Sequence, residues 1–211
     1  MDNRELAQSE RQQLCNLFDD VGPDHPTLCA GWTTAHLAAH LVNRERNPLT
    51  GPGLMLGGPF ERYTESTLEK TRVNTDYADL VERVRTGPPS LLGPFDGAVN
   101  MTEYFVHHED VRRAAPGAQP RSDVGDLEDA LWDQQGRRTR LLIRRLDDLD
   151  LTVARPSGEQ KHIGGGSRPV TLVGPATEIV LFLSGRREAA VVQIDGEAGA
   201  ATELREGKLG L

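Results

Sequence analysis

The chain has 211 residues and a formal net charge of −8. This acidic balance argues against a nucleic-acid-binding or anionic-membrane-binding protein, because either would need a basic surface. The basic run at residues 137–145 is followed by aspartates, so we interpret it as a solvated helix face with carboxylate partners. The longest apolar run, residues 179–183, is too short to span a bilayer.

Cysteine content and the N-terminal residues indicate the cellular compartment of the protein. Cys15 and Cys29 are the two cysteines, and no paired spacing links them. This usage is typical of a reducing compartment rather than of a disulfide-stabilised scaffold. Residues 1–6 are polar and lack the apolar core of a signal peptide. We therefore expect a cytoplasmic protein.

Helical periodicity predicts an up-and-down helical bundle over residues 1–150. Pro- and Gly-rich segments separate its helices, and the segment at residues 47–60 is long for a connection. We interpret that segment either as a lid over a site or as a plain turn. Helices are expected up to Gly22, at about 33–46, at 61–86 with a break near Asn74, around 103–107 and at 123–146.

After Asp150 the pattern changes to short β-rich runs, which predict a small α/β domain over residues 151–211. The predicted fold class is therefore α+β. The glycines at 164–166 follow no strand–helix phosphate-binding pattern and are interpreted as a turn. Strands are expected at 151–155, 160–163, 169–173, 189–195 and 202–205, with a helix at 175–183.

Glu103, His107 and Asp110 are spaced i, i+4 and i+7, so on a helix they fall within roughly 60° of one face. Apolar residues share this face. A carboxylate and an imidazole are costly to bury without a partner, and a divalent metal is a partner that both can bind. The alternative is an amphipathic helix that includes a histidine satisfied by its neighbours.

The opposite face of the same helix is expected to face water. It carries polar and charged side chains: Thr102, Glu109, Arg112 and Arg113.

Two further histidines, His36 and His40, are spaced i, i+4 on the helix predicted at about 33–46. The rest of that helix is apolar nearly all round, which predicts a position deep in a bundle. Read alone, the pair could be the solvated strip of the helix, because His-x-x-x-His without the glutamate of a zinc protease is a weak metal signal. Together with Glu103 and His107, one or both histidines would complete an open metal site between helices.

Two segments resemble the mycothiol-dependent maleylpyruvate isomerase family, part of the wider DinB-like metal-binding four-helix-bundle superfamily. Residues 28–41 (LCAGWTTAHLAAHL) are similar to the opening motif of that family, and residues 103–110 (EYFVHHED) to its second motif. The resemblance implies that a small α/β domain of sterol-carrier type follows the bundle.

The resemblance also implies a ligand set. It places the metal ligands at His40, Glu103 and His107, and it matches Asp110 to the aspartate that follows the second histidine. The family usually has an acidic residue at the position of His36, so the role of His36 is open: metal, substrate or packing.

The resemblance implies a transferase or isomerase in which the metal activates mycothiol for attack on a small electrophilic substrate. Zinc suits two histidines and a carboxylate, and so do nickel, iron and manganese. His36, His108 and Asp110 are the candidate catalytic residues. The alternatives are a metal-dependent hydrolase, with His36 or His108 as base or orienting group, and a non-enzymatic metal- or ligand-binding module.

Overall fold

The computed structural model describes residues 1–47, 59–88, 97–146 and 148–209. Most of the predicted lid or turn at 47–60 therefore lies outside the described residues. The chain divides into two compact units, Met1–Gln119 and Pro120–Leu211. This division lies earlier than Asp150, because the helix that ends at Leu142 packs with the second unit. No helix in the described ranges is both long and apolar enough to cross a bilayer.

The first unit is a helical bundle, and the helical N-terminal half predicted from the periodicity is confirmed. Helix α1 packs against α5 and α4, and α2 packs against α3 and α4. The core between them includes the fully buried side chains of Leu14, Phe18, Leu37, Leu41 and Leu80. The helices are α1 (Asn3–Val21), α2 (Thr34–Arg46), α3 (Pro59–Val73), α4 (Tyr77–Thr86) and α5 (Gly97–Arg112).

Local sequence explains where the first two helices begin and end. Asp2 accepts hydrogen bonds of 2.8 Å from the backbone N–H groups of Arg4 and Glu5, and Glu5 accepts one of 2.8 Å from the backbone N–H of Asp2. This reciprocal arrangement satisfies donors that the first turn of α1 would otherwise leave exposed. Helix α1 ends at Gly22, whose φ of 77° favours glycine. Thr33 is the N-cap residue of α2.

The prediction that one face of α5 lies in water is wrong. Thr102 and Glu109 are buried, with 1% and 0% of their surface exposed. Glu109 is neutralised by Arg112, at 2.9 Å, and by Arg113. Because α1 packs along α5, most of α5 after Met101 is buried on every side, and charged residues enter the core as ion pairs.

The second unit combines a mixed sheet with helices, so the predicted α+β class is confirmed. The sheet has the order β2-β1-β3-β4, with β1 and β3 parallel and the outer pairs antiparallel. Helix α7 packs against α6. The elements are α6 (Gly125–Leu142), a 3-10 turn (Ile143–Arg145), β1 (Leu149–Ala154), β2 (Gln160–His162), β3 (Arg168–Val173), α7 (Ala176–Leu183), β4 (Gln193–Gly196) and α8 (Ala198–Glu206).

The predicted strand at 202–205 is wrong, since those residues belong to α8. Ala200 and Leu204 are the buried residues of α8, and their i, i+4 spacing matches a helix. A four-residue segment is too short for its apolar spacing to separate a strand from a helix. The strand predicted at 189–195 is shorter, because Ala189 and Ala190 form a turn by donating to the carbonyl of Arg186.

Candidate metal centre

Three donor side chains converge between α2 and α5. His40 comes from α2, and Glu103 and His107 lie one turn apart on α5. Glu103 Oε1 lies 3.5 Å from His40 Nε2 and 3.2 Å from His107 Nε2. Donor atoms of the three residues all lie within 4.8 Å of one another. We call these three residues the donor cluster.

The donor cluster fits a divalent metal ion. A tetrahedral site with bonds of about 2.0–2.2 Å has ligand atoms roughly 3.3–3.6 Å apart. The two spacings from Glu103 Oε1, 3.5 Å and 3.2 Å, lie close to that range. Two imidazoles and one carboxylate suit zinc, and they also suit nickel, iron and manganese.

Burial and hydrogen bonding set the charges of the cluster. Burial alone would raise the pKa of Glu103, but hydrogen bonds from His107 and His40 hold that pKa well below its ordinary value. Burial lowers the pKa of His40. Burial also opposes the charge of His107, yet its hydrogen bonds to Asp110, Cys29 and Glu103 raise its pKa well above the ordinary value. Because a ligating histidine must be neutral, protonation of His107 and metal ligation by it exclude each other.

Asp110 contacts the second ring nitrogen of His107. Asp110 Oδ2 lies 2.8 Å from His107 Nδ1, and Asp110 is completely buried. If Nδ1 donates this hydrogen bond, the Nε2 lone pair faces the donor cluster, which is the tautomer that a metal would need. Arg112 and Arg113 pair with Glu109.

Arg44 was missed by the sequence analysis. Its Nε lies 3.2 Å from Glu103 Oε1, and its Nη1 donates to Asn100 Oδ1 at 3.0 Å. Arg44 follows His40 by four residues on α2, so the spacing already placed it on the same helix face as His40.

Two residues that precede α2 also lie close to the donor cluster. The Trp32 and His40 rings are 5.3 Å apart between centroids. Cys29 Sγ lies 3.3 Å from Asp110 Oδ2, and Cys29, His107 and Asp110 form a second group of potential donors within 4.8 Å. Both cysteines are free thiols.

His36 and His108 lie outside the donor cluster. His36 Nδ1 lies 3.2 Å from the backbone nitrogen of Thr33, so His36 caps the helix that carries it. Burial lowers the pKa of His36. His108 Nδ1 lies 3.1 Å from Glu10 Oε2, and both residues are buried where α1 packs on α5. Of the three candidate catalytic residues, only Asp110 contacts the cluster.

Comparisons with known proteins agree with the first of the two sequence motifs, at residues 28–41. Residues 5–50 match the family described as the mycothiol maleylpyruvate isomerase N-terminal domain. This confirms the resemblance for the segment with the first motif; Glu103 and His107 lie outside the matched residues. No curated protein matches the chain.

Two solved structures share the fold over 93% of this chain and 93% of their own. One is a crystal structure of a mutant of the mycothiol-dependent maleylpyruvate isomerase, with a TM-score of 0.64 and 16% sequence identity. The other is a crystal structure of the mycothiol-dependent maleylpyruvate isomerase, with a TM-score of 0.57 and 17% identity. At these identities the likeness establishes the fold.

Proposed function

We propose that this protein is a mycothiol-dependent transferase or isomerase, in which a divalent metal held by His40, Glu103 and His107 activates a small thiol for attack on an electrophilic substrate. The observation that carries the proposal is the convergence of three metal-ligand side chains within 4.8 Å. The family match over residues 5–50 and the names of the two similar structures support mycothiol as the thiol and maleylpyruvate or a similar electrophile as the substrate.

A three-residue ligand set favours catalysis over a purely structural role. Structural zinc sites are closed by four protein ligands, whereas catalytic sites keep a position for water or substrate. The two histidine side chains of the cluster are 8% and 10% exposed, while those of Glu103 and Arg44 are 27% and 19% exposed. A thiol or substrate would therefore reach the cluster from the side of Glu103 and Arg44.

A divalent metal in this cluster would lower the pKa of a bound thiol, so that the thiolate predominates near neutral pH. The remaining roles belong to side chains of the chain. Asp110 holds His107 with Nε2 directed at the cluster. Arg44 keeps a positive charge beside the exposed edge, where it favours an anionic thiolate or a carboxylate of the substrate. His36 and His108 are engaged in structural contacts, which argues against either as the base.

The decisive experiment measures metal and thiol binding together. The full-length protein should bind one divalent metal per chain, and Glu103→Gln or His40→Ala should lose it. Cobalt-substituted protein should develop a sulfur-to-metal charge-transfer band when mycothiol is added. His36→Ala is the matched control, since it removes a histidine of the same helix that lies outside the cluster.

Three results would contradict the proposal. Full metal stoichiometry in the double variant Glu103→Gln/His107→Ala would reject this ligand set. Metal-loaded protein that binds no thiol but hydrolyses an ester or amide panel would be a metal-dependent hydrolase. Metal binding with neither thiol binding nor hydrolysis would indicate a binding module.

A further inference from the structure

We propose that the loop at residues 27–32 positions both ligand histidines, and that Cys29 is a positioning residue that holds Asp110 against His107. The inference rests on the proposed function only in taking His40 and His107 as metal ligands. It gives a role to a cysteine that the proposed chemistry otherwise leaves unused.

Hydrogen bonds within residues 27–32 stabilise the conformation of the loop. Thr27 Oγ1 accepts a hydrogen bond from the backbone N–H of Cys29 at 3.2 Å and donates to the carbonyl of Trp32 at 2.9 Å. The backbone N–H of Trp32 donates to the carbonyl of Cys29 at 2.9 Å. Gly31 has a φ of 78°, which favours glycine at this turn. These contacts fix the directions of the Cys29 and Trp32 side chains.

Two hydrogen bonds join the loop to Asp110. The backbone N–H of Leu28 donates to the carbonyl of Asp110 at 2.9 Å. The Cys29 thiol lies 3.3 Å from Asp110 Oδ2, the oxygen that is 2.8 Å from His107 Nδ1. Because Asp110 is fully buried, its carboxylate orientation depends on such protein donors rather than on water. Cys29 therefore reaches His107 through Asp110, in addition to its own hydrogen bond with His107.

The same loop also contacts the other ligand histidine. The Trp32 ring packs on the His40 ring at a centroid separation of 5.3 Å, with the planes tilted by 49°. An aromatic neighbour restricts the ring rotation of His40 without competing for its Nε2. One short segment thus restrains two histidines that lie on different helices.

The contacts of Cys29 indicate how much its replacement should weaken zinc binding. Loss of a residue that directly orients a ligand histidine typically weakens metal binding by 10- to 100-fold. A thiol is a weaker hydrogen-bond donor than such a residue, so Cys29→Ala should weaken zinc binding by about 3- to 10-fold. Cys29→Ser keeps a donor beside Asp110 and should stay within about 2-fold of the wild type.

The test uses the full chain and three readouts. Zinc affinity is measured by chelator competition, and the ligand field of bound cobalt is measured from its d–d spectrum without added thiol. Nitrogen-15 NMR of the metal-free protein records the protonation state of the His107 ring and the hydrogen bond of its Nδ1. Cys29→Ala should change all three, and Cys29→Ser should restore them. Cys15→Ala is the control, because Cys15 is buried in the core of the same unit and should affect only thermal stability.

Wild-type affinity, cobalt spectrum and NMR signals in Cys29→Ala would overturn the proposal. A cobalt–thiolate band in the wild type that Cys29→Ser abolishes would also overturn it, since Cys29 would then be a ligand. Failure of the wild type to bind metal would reject the proposed function; the NMR comparison in metal-free protein would still decide whether Cys29 positions His107.

Discussion

Arg44 and Glu103 form an ion pair at the edge of the donor cluster, with Arg44 Nε 3.2 Å from Glu103 Oε1. The same oxygen faces both histidines. A metal bound in the donor cluster would therefore share one carboxylate oxygen with the Arg44 guanidinium, and the two positive charges would repel each other.

Arg44→Gln should increase metal affinity. Two unit charges about 5 Å apart interact by roughly 3 kcal/mol at an effective dielectric constant of 20, and solvent on the exposed side reduces this. We expect zinc to bind about 3- to 30-fold more tightly, as measured by chelator competition. Arg46→Gln, which removes the same charge from a position on α2 that contacts α4, is the control. Weaker binding in Arg44→Gln would instead mean that Arg44 is needed to orient Glu103.

Asp110→Asn should weaken metal binding by about 10- to 100-fold, which is less than the loss in Glu103→Gln. The amide keeps the shape of the side chain but no longer presents a charged acceptor to His107 Nδ1. Zinc competition and the cobalt d–d spectrum would measure the effect. An unchanged affinity would show that His107 needs no carboxylate behind it.

His36→Ala should reduce stability and leave metal affinity unchanged. His36 accepts a hydrogen bond at the N-terminus of α2, and each such cap contributes about 0.3–1.5 kcal/mol. Urea unfolding of the metal-free protein would measure the loss. A fall in zinc affinity as large as that of His40→Ala would place His36 at the metal instead.

Cys29 should react with thiol reagents in the folded protein, whereas Cys15 should not. Cys15 is completely buried, and burial raises its pKa to about 12, which suppresses the reactive thiolate. Mass spectrometry after brief alkylation at pH 8 should find one modified cysteine in native protein and two after denaturation. Cys29→Ser should reduce the native value to zero. Rapid modification of Cys15 would show that the first unit opens readily.

The sequence predicted the structure correctly where the prediction depended only on helical periodicity. The i, i+4 spacing of Glu103 and His107 placed them on one face of a helix, and the structure has them there. The same reasoning failed for the face with Thr102 and Glu109, because hydrophobicity along one helix does not reveal what packs against it. Glu109 is buried and paired with Arg112 and Arg113, so ion pairing overrides the rule that charged faces are solvated.

By itself the sequence determined the helical first unit, the helix that carries Glu103 and His107, and the helix that carries His36 and His40. Spacing alone did not distinguish His36 from His40 as a candidate metal ligand, and only the family resemblance favoured His40. The tertiary structure decided that His40 meets Glu103 and that Arg44 and Cys29 join the surroundings of the cluster, whereas His36 caps its own helix through a local contact with Thr33. The physical reason is that helical periodicity acts over a few residues, whereas contacts such as that of Cys29 with Asp110 join residues that only the tertiary fold brings together.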